Sequence, residues 1–109
     1  MNAAASTIEP QIADGVLELL RRHDCERELW DQIELSEAHF PDRLAVAVAV
    51  TPDPDEAGHF WVGLEVTVPA ALSWAQIQPR RLKYIADAVA RFPARDNPTF
   101  VLAVRPAPE

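Results

Sequence analysis

The stretch from Arg43 to Ala71 constrains the fold more than any other part of the chain. Leu44, Val46, Val48 and Val50 alternate with Ala45, Ala47 and Ala49, so a period-2 strand carries branched side chains on one face and alanines on the other. Both faces are apolar, and the spacing predicts a strand covered on both sides. The alanine face is flat enough for a helix or a second chain to approach closely. A second strand follows. Phe60, Val62, Leu64, Val66 and Val68 alternate with Trp61, Gly63, Glu65 and Thr67, so the first set faces a core and the second is partly solvated. Between the strands, Thr51-Pro-Asp-Pro-Asp-Glu-Ala-Gly58 is composed of turn formers. Pro69 closes the second strand because it cannot donate to a ladder.

The flanking segments supply the helices. Ser6-Thr-Ile-Glu9 matches a capping box, and Ile12, Val16, Leu19, Leu20 and His23 recur at helical spacing, which predicts a helix over 8–23. Residues 24–40 fit two templates. Leu29, Ile33 and Glu37 suit a helix, whereas Leu29, Asp31, Ile33 and Leu35 suit a strand. A strand at 29–36 is preferred, because two strands alone make too small a sheet. After the hairpin, Ser73-Trp-Ala-Gln76 is a second capping box. Pro79 either starts a further helix or kinks this one. Leu82, Ile85, Ala86, Val89 and Phe92 form a helical stripe that ends at Pro93, and Phe100, Leu102 and Val104 mark a last strand. The expected order is α-β-β-β-α-β. That is a small single α+β domain over residues 1–109, with a mostly antiparallel sheet and helices on one face. Residues 1–5 and 106–109 are expected as flexible ends.

Charge narrows the function. The chain of 109 residues has a net charge of -7. Residues 1–60 hold 13 acidic and 4 basic residues, net -9, and residues 61–109 hold 4 acidic and 6 basic, net +2. Only Arg80, Arg81 and Lys83 form a basic cluster, so direct nucleic-acid binding is not expected. No apolar run approaches the ~20 residues of a membrane span, and the first residues lack the pattern of a secretory signal. The single cysteine, Cys25, cannot form an intrachain disulfide. A cytoplasmic protein without membrane contact is the expectation.

The usual catalytic and ligand-binding patterns are missing. His23, His39 and His59 have no metal-motif spacing, and Gly15, Gly58 and Gly63 are too scattered for a phosphate cradle. The acidic loop lacks the glycine and distal glutamate of a calcium loop. Acidic neighbours of Cys25 oppose thiolate formation. Asp42 and Glu65 are loosely nuclease-like, and with His59 they define the alternative of a small metal-dependent hydrolase. That site would want a lysine two residues after Glu65, and Thr67 stands there. No catalytic residue, metal or cofactor is assigned on these grounds.

Surfaces remain. Glu26, Glu28, Asp31, Glu34 and Glu37 crowd one segment with Asp24, and only Arg27 opposes them. They are the candidate contacts for a partner protein with a basic surface. Trp61 joins them as a candidate interface anchor, with core packing as its plainer role. The expected function is a non-catalytic binding protein: an inhibitor, immunity or anti-defence protein, or a secretion chaperone. The alternative is a homo-oligomeric structural subunit pairing through a sheet edge or the alanine face.

Trp74, Gln78-Pro-Arg-Arg-Leu-Lys-Tyr-Ile-Ala86 and Ala90-Arg-Phe-Pro93 resemble the C-terminal part of suppressor-of-fused-like domains. There a strand ending in proline is followed by a tryptophan, a proline-started helix and an Arg-aromatic-Pro stop. Bacterial members include proposed toxin-immunity proteins, so the resemblance implies an immunity role. The Gly-Met-Ser segment expected upstream is absent. In element order, the chain is similar to phage tail-terminator proteins and, in its first part, to type III secretion chaperones.

Overall fold

The computed structural model describes residues 8–93 and 97–108. The elements run β1 (Gln11–Ile12), α1 (Val16–Arg22), α2 (Glu26–His39), β2 (Ala45–Pro52), β3 (Phe60–Val68), α3 (Trp74–Arg91) and β4 (Thr99–Pro106). The four strands form one sheet in the order β1-β2-β3-β4. The chain is therefore a compact α+β domain with three helices and a mixed sheet.

The central hairpin lies where its alternation places it. Val46 pairs with Val66, Val48 with Leu64 and Val50 with Val62. Ordering of the acidic loop begins at Asp53, whose Oδ1 accepts from the Asp55 amide at 2.8 Å, an Asx turn. Gly58 takes φ 84°, the left-handed region that glycine enters without steric penalty.

Three expectations are corrected. The first concerns residues 8–23. Only Val16–Arg22 is helical, and Gln11–Ile12 pair in parallel with Ala47 and Val48. Asp14-Gly15 is a turn pair, and Gly15 at φ 84° interrupts the helical run that Ile12 and Val16 suggest. Ile12 still packs against the core, but from a strand. Ser6 and Thr7 of the expected capping box lie outside the described residues, as do residues 1–5.

The second concerns the proposed strand at 29–36, which is the interior of α2. Leu29, Gln32, Leu35 and Ser36 are its buried positions, a spacing of three and four that suits a helix. Gln32 belongs to that face. Read as an apolar position, it makes the helical stripe continuous.

The third concerns strand direction. β1 runs parallel to β2 and β4 parallel to β3, so two of the three ladders are parallel. Each helical segment carries the chain back to the end from which it set out, as a crossover must. The observed order is β-α-α-β-β-α-β. At the far end, Pro106 still pairs with Val68, and Ala107 donates to the Val68 carbonyl at 2.8 Å, so these two residues are tied to the sheet.

The core has two parts. Val16, Leu20, Cys25 and Leu29 from the first helices meet Val48, Val62 and Leu64. Phe40 and Ile77 meet Val46, Val66, Val68 and Val104. All the strand residues in these clusters belong to the even-numbered set. Each fully buried valine or leucine stabilises the fold by about 1.5–3 kcal/mol relative to exposure. The odd-numbered face has no such cover: Ala49, Thr51, Val101 and Ala103 are exposed. The expectation of a strand buried on both sides holds on one side only.

Helix α3 is continuous through Pro79. Proline removes a hydrogen bond to the carbonyl of Ala75, and both residues are exposed, so water can satisfy that oxygen. Its start follows the sequence: the Ser73 hydroxyl accepts from the Gln76 amide, and the Gln76 side chain accepts from the Ser73 amide. Its apolar stripe does not. Ile77 and Tyr84 are the buried residues, while Leu82, Ile85 and Val89 are exposed.

Candidate functional site

The acidic residues assigned to partner binding lie on or at the start of α2, and they differ in availability. Glu26, in the first turn, accepts from Arg21 Nε at 2.7 Å and from the Trp30 indole at 3.3 Å. The Arg21 guanidinium, and then the Trp30 N–H, hold the Glu26 carboxyl below its usual range. Asp31 is 3.5 Å from Arg27 one turn away. Glu34 is exposed, with no ion pair among the described residues. Glu28 accepts from Gln32 Nε2 at 3.2 Å and turns toward the helix junction. Glu37 receives the guanidinium of Arg43, which is buried.

The five acids therefore separate. Glu26, Asp31 and Glu34 share the solvent side of α2, with Trp30 among them at positions four apart from Glu26 and Glu34. Trp30 is 39% exposed. The strand reading of 29–36 hid it, because helical spacing is what puts Trp30 between the two glutamates. Arg21 and Arg27 are largely exposed in their pairs. Exposed pairs are worth about 0–1 kcal/mol, so a partner's cation can displace either arginine at little cost. Glu37 is different. Releasing it would leave the Arg43 charge buried without its carboxylate, which is strongly unfavourable.

Trp61 is on the other side of the molecule. It alternates with Val62 and therefore faces away from the helices, on the odd-numbered sheet face. Its ring meets the edge of His59, with centroids 5.1 Å apart. His59 is buried, and its ring nitrogens contact Asp53 Oδ2 and Thr99 Oγ1, each at 2.9 Å. The Asp55 amide bond, followed by the His59 contact, holds the Asp53 carboxyl below its ordinary value. The hydroxyl–imidazole–carboxylate order is that of a nucleophile, a base and an orienting acid. Here the three groups join the loop after β2 to the first residue of β4. Asn97 adds two more ties, accepting from the Phe60 amide at 3.0 Å and donating to the Gly58 carbonyl at 2.8 Å.

The two acids of the hydrolase alternative are not brought together. Asp42 accepts from Arg80 of α3 at 2.8 Å, on the helix side. Glu65 is 3.0 Å from Arg105, on the odd-numbered sheet face. Among the described residues no group of three or more His, Cys, Asp or Glu side chains could hold a metal ion. Cys25 is buried. Among the described residues no helix is long and apolar enough to cross a membrane.

Compared with protein-family models, curated proteins and solved structures, the chain matches none.

Proposed function

We propose that the chain is a non-catalytic protein-binding module, of the inhibitor, immunity or secretion-chaperone kind, that occupies a basic surface of a partner through α2. The observation that carries this reading is Trp30: a large aromatic ring, held by Glu26 and exposed among carboxylates. An arginine or lysine of the partner stacks on the indole face while its charge reaches Glu26, Asp31 or Glu34. The net charge of -9 over residues 1–60 steers such a partner and makes association faster at low salt.

An arginine-rich peptide serves as probe, followed by tryptophan fluorescence in the protein and in Trp30→Phe. The expected result is a fluorescence change that Trp30→Phe loses. The affinity should fall with salt and drop about tenfold or more in Asp31→Lys/Glu34→Lys. Equal affinity in the charge-reversed protein would refute the acidic-face reading.

A further inference from the structure

Among the described residues, seven large hydrophobic side chains are exposed, and three of them, Leu82, Ile85 and Val89, lie together on α3. Leu82 is 60% and Val89 76% exposed. Their spacing along α3 places them on one helix face. A groove of about 270 Å³ separates that face from β4, with Ile85 and Val89 on one wall and Phe100 and Leu102 on the other. Monomeric proteins rarely leave such a contiguous apolar flank open.

Among the described residues, the backbone at this flank is also open. β4 is an edge strand of eight residues, and the opposite edge, β1, has only two. Long apolar edges are normally blunted by charge, proline or brevity. From Thr99 to Val104, β4 has no charge and no proline. Ala107 donates to Val68 of β3, so by strand alternation the odd-numbered residues of β4 bond inward. The N–H and C=O groups of Phe100, Leu102 and Val104 therefore point outward.

We propose that a second copy of the chain covers this flank, with the two β4 strands antiparallel about a two-fold axis at Leu102. The edge is self-complementary in that register. Phe100 meets Val104 of the other copy and Leu102 meets its own equivalent, so every outward pair of backbone groups finds another outward pair. Arg105, the only charge on the strand, falls opposite Thr99, so no like charges meet. The sheet becomes continuous over eight strands, and the α3 stripes face each other above it in an isologous contact. α3 has 18 residues and β4 eight, so each element spans roughly 27 Å. With one helix layer over one strand layer, the flank is about 20 Å tall, and two copies bury on the order of 1,000 Å², the lower bound for a specific interface.

Light scattering behind a sizing column, over a wide range of protein concentration, should return twice the chain mass of 12.1 kDa. Leu82→Glu/Val89→Glu should return the monomer with an unchanged circular dichroism spectrum, because both side chains already face water. Amide hydrogen exchange then tests the strand. Phe100, Leu102 and Val104 should exchange slowly in the dimer and rapidly in the double variant. A wild-type monomer at every concentration overturns the proposal, and so does a dimer whose outward β4 amides stay unprotected. An extended peptide of another protein as the true occupant gives the first of these outcomes.

Discussion

Replacing Tyr84 with phenylalanine tests how α3 is held to the rest of the domain. Tyr84 is buried at the junction with α2, where its hydroxyl donates to Gln32 Oε1 at 2.7 Å. Gln32 is itself buried and spends its amide nitrogen on Glu28. Tyr84→Phe keeps the ring and its edge contact with His39 but leaves the Gln32 oxygen without this donor. A buried acceptor deprived of its donor costs about 1–2 kcal/mol, which lowers the thermal midpoint by about 5 °C in a domain of this size. The same hydroxyl makes the effect depend on pH. Burial, and secondarily the charge of Glu28, push the Tyr84 hydroxyl well above its ordinary value of 10.0. The folded state then keeps a proton that the unfolded chain releases. The stabilisation is complete below pH about 10 and is lost as pH rises further, at up to about 1.4 kcal/mol per pH unit. Tyr84→Phe has no such loss, so the gap between the two proteins should be constant below that pH and close above it. The chain has one tyrosine, so near-ultraviolet absorbance reports its ionisation without ambiguity. Tyrosinate should appear only as the far-ultraviolet dichroism collapses. A titration centred near pH 10 in protein that remains folded would refute the buried hydrogen bond.

Two further substitutions probe the loops. Asp53→Asn removes a carboxylate that its partners hold below the ordinary value of 3.8. The depressed value means that the contribution is present above that pH and lost as pH falls through the folded value. The urea midpoints of wild type and Asp53→Asn should therefore differ near neutral pH and converge in acid; a gap that persists in acid would contradict the assignment. Gly15→Ala should destabilise by about 1 kcal/mol through backbone strain alone, because φ is 84° and an added Cβ meets nothing within 4 Å. Gly63→Ala, whose Cβ would sit at 3.9 Å from Ala49 O in ordinary contact, provides the unstrained comparison in the same urea titration.

Residues whose local pattern agreed with their tertiary role were legible in the sequence. The central hairpin, the Ser73 cap and the last strand follow from period-2 alternation and from Ser-x-x-Gln chemistry, neither of which needs a distant partner. Residues 8–12 were not legible, because Ile12 fits the helical spacing of Val16 as well as it fits a strand. Pairing with Ala47 and Val48 decides between them, and that contact spans some 35 residues of sequence. Residues 26–39 failed for a different reason. The buried face of α2 includes Gln32 and Ser36, which a hydrophobic pattern counts as solvent positions. The Gln32–Tyr84 bond supplies the missing logic, and it lies 52 residues apart in sequence. The candidate site suffered in turn: with α2 unread, the five acids looked like one patch, and Trp30 had no place beside Glu26 and Glu34.

α3 shows what a hydrophobic period does and does not report. Its stripe at Leu82, Ile85 and Val89 is real in the sequence, yet the domain buries Ile77 and Tyr84, about 120° further round the helix. Two features explain the choice. The junction with α2 is polar, made by Tyr84 with Gln32 and by His39 with Asp87 at 2.7 Å, and those bonds set the rotation of α3. The groove beside β4 then holds Ile85 and Val89 apart from Phe100 and Leu102, so the stripe is not closed against the strand. A helix whose apolar arc is too wide for one contact must expose part of it or meet a second body. Rotating α3 to bury the stripe would break the Tyr84 and His39 bonds and leave Gln32 buried without its donor, at the 1–2 kcal/mol already argued for that oxygen. Covering the stripe from outside has no such penalty. The period therefore identifies an apolar surface, and the polar junction is what leaves that surface on the outside of the domain.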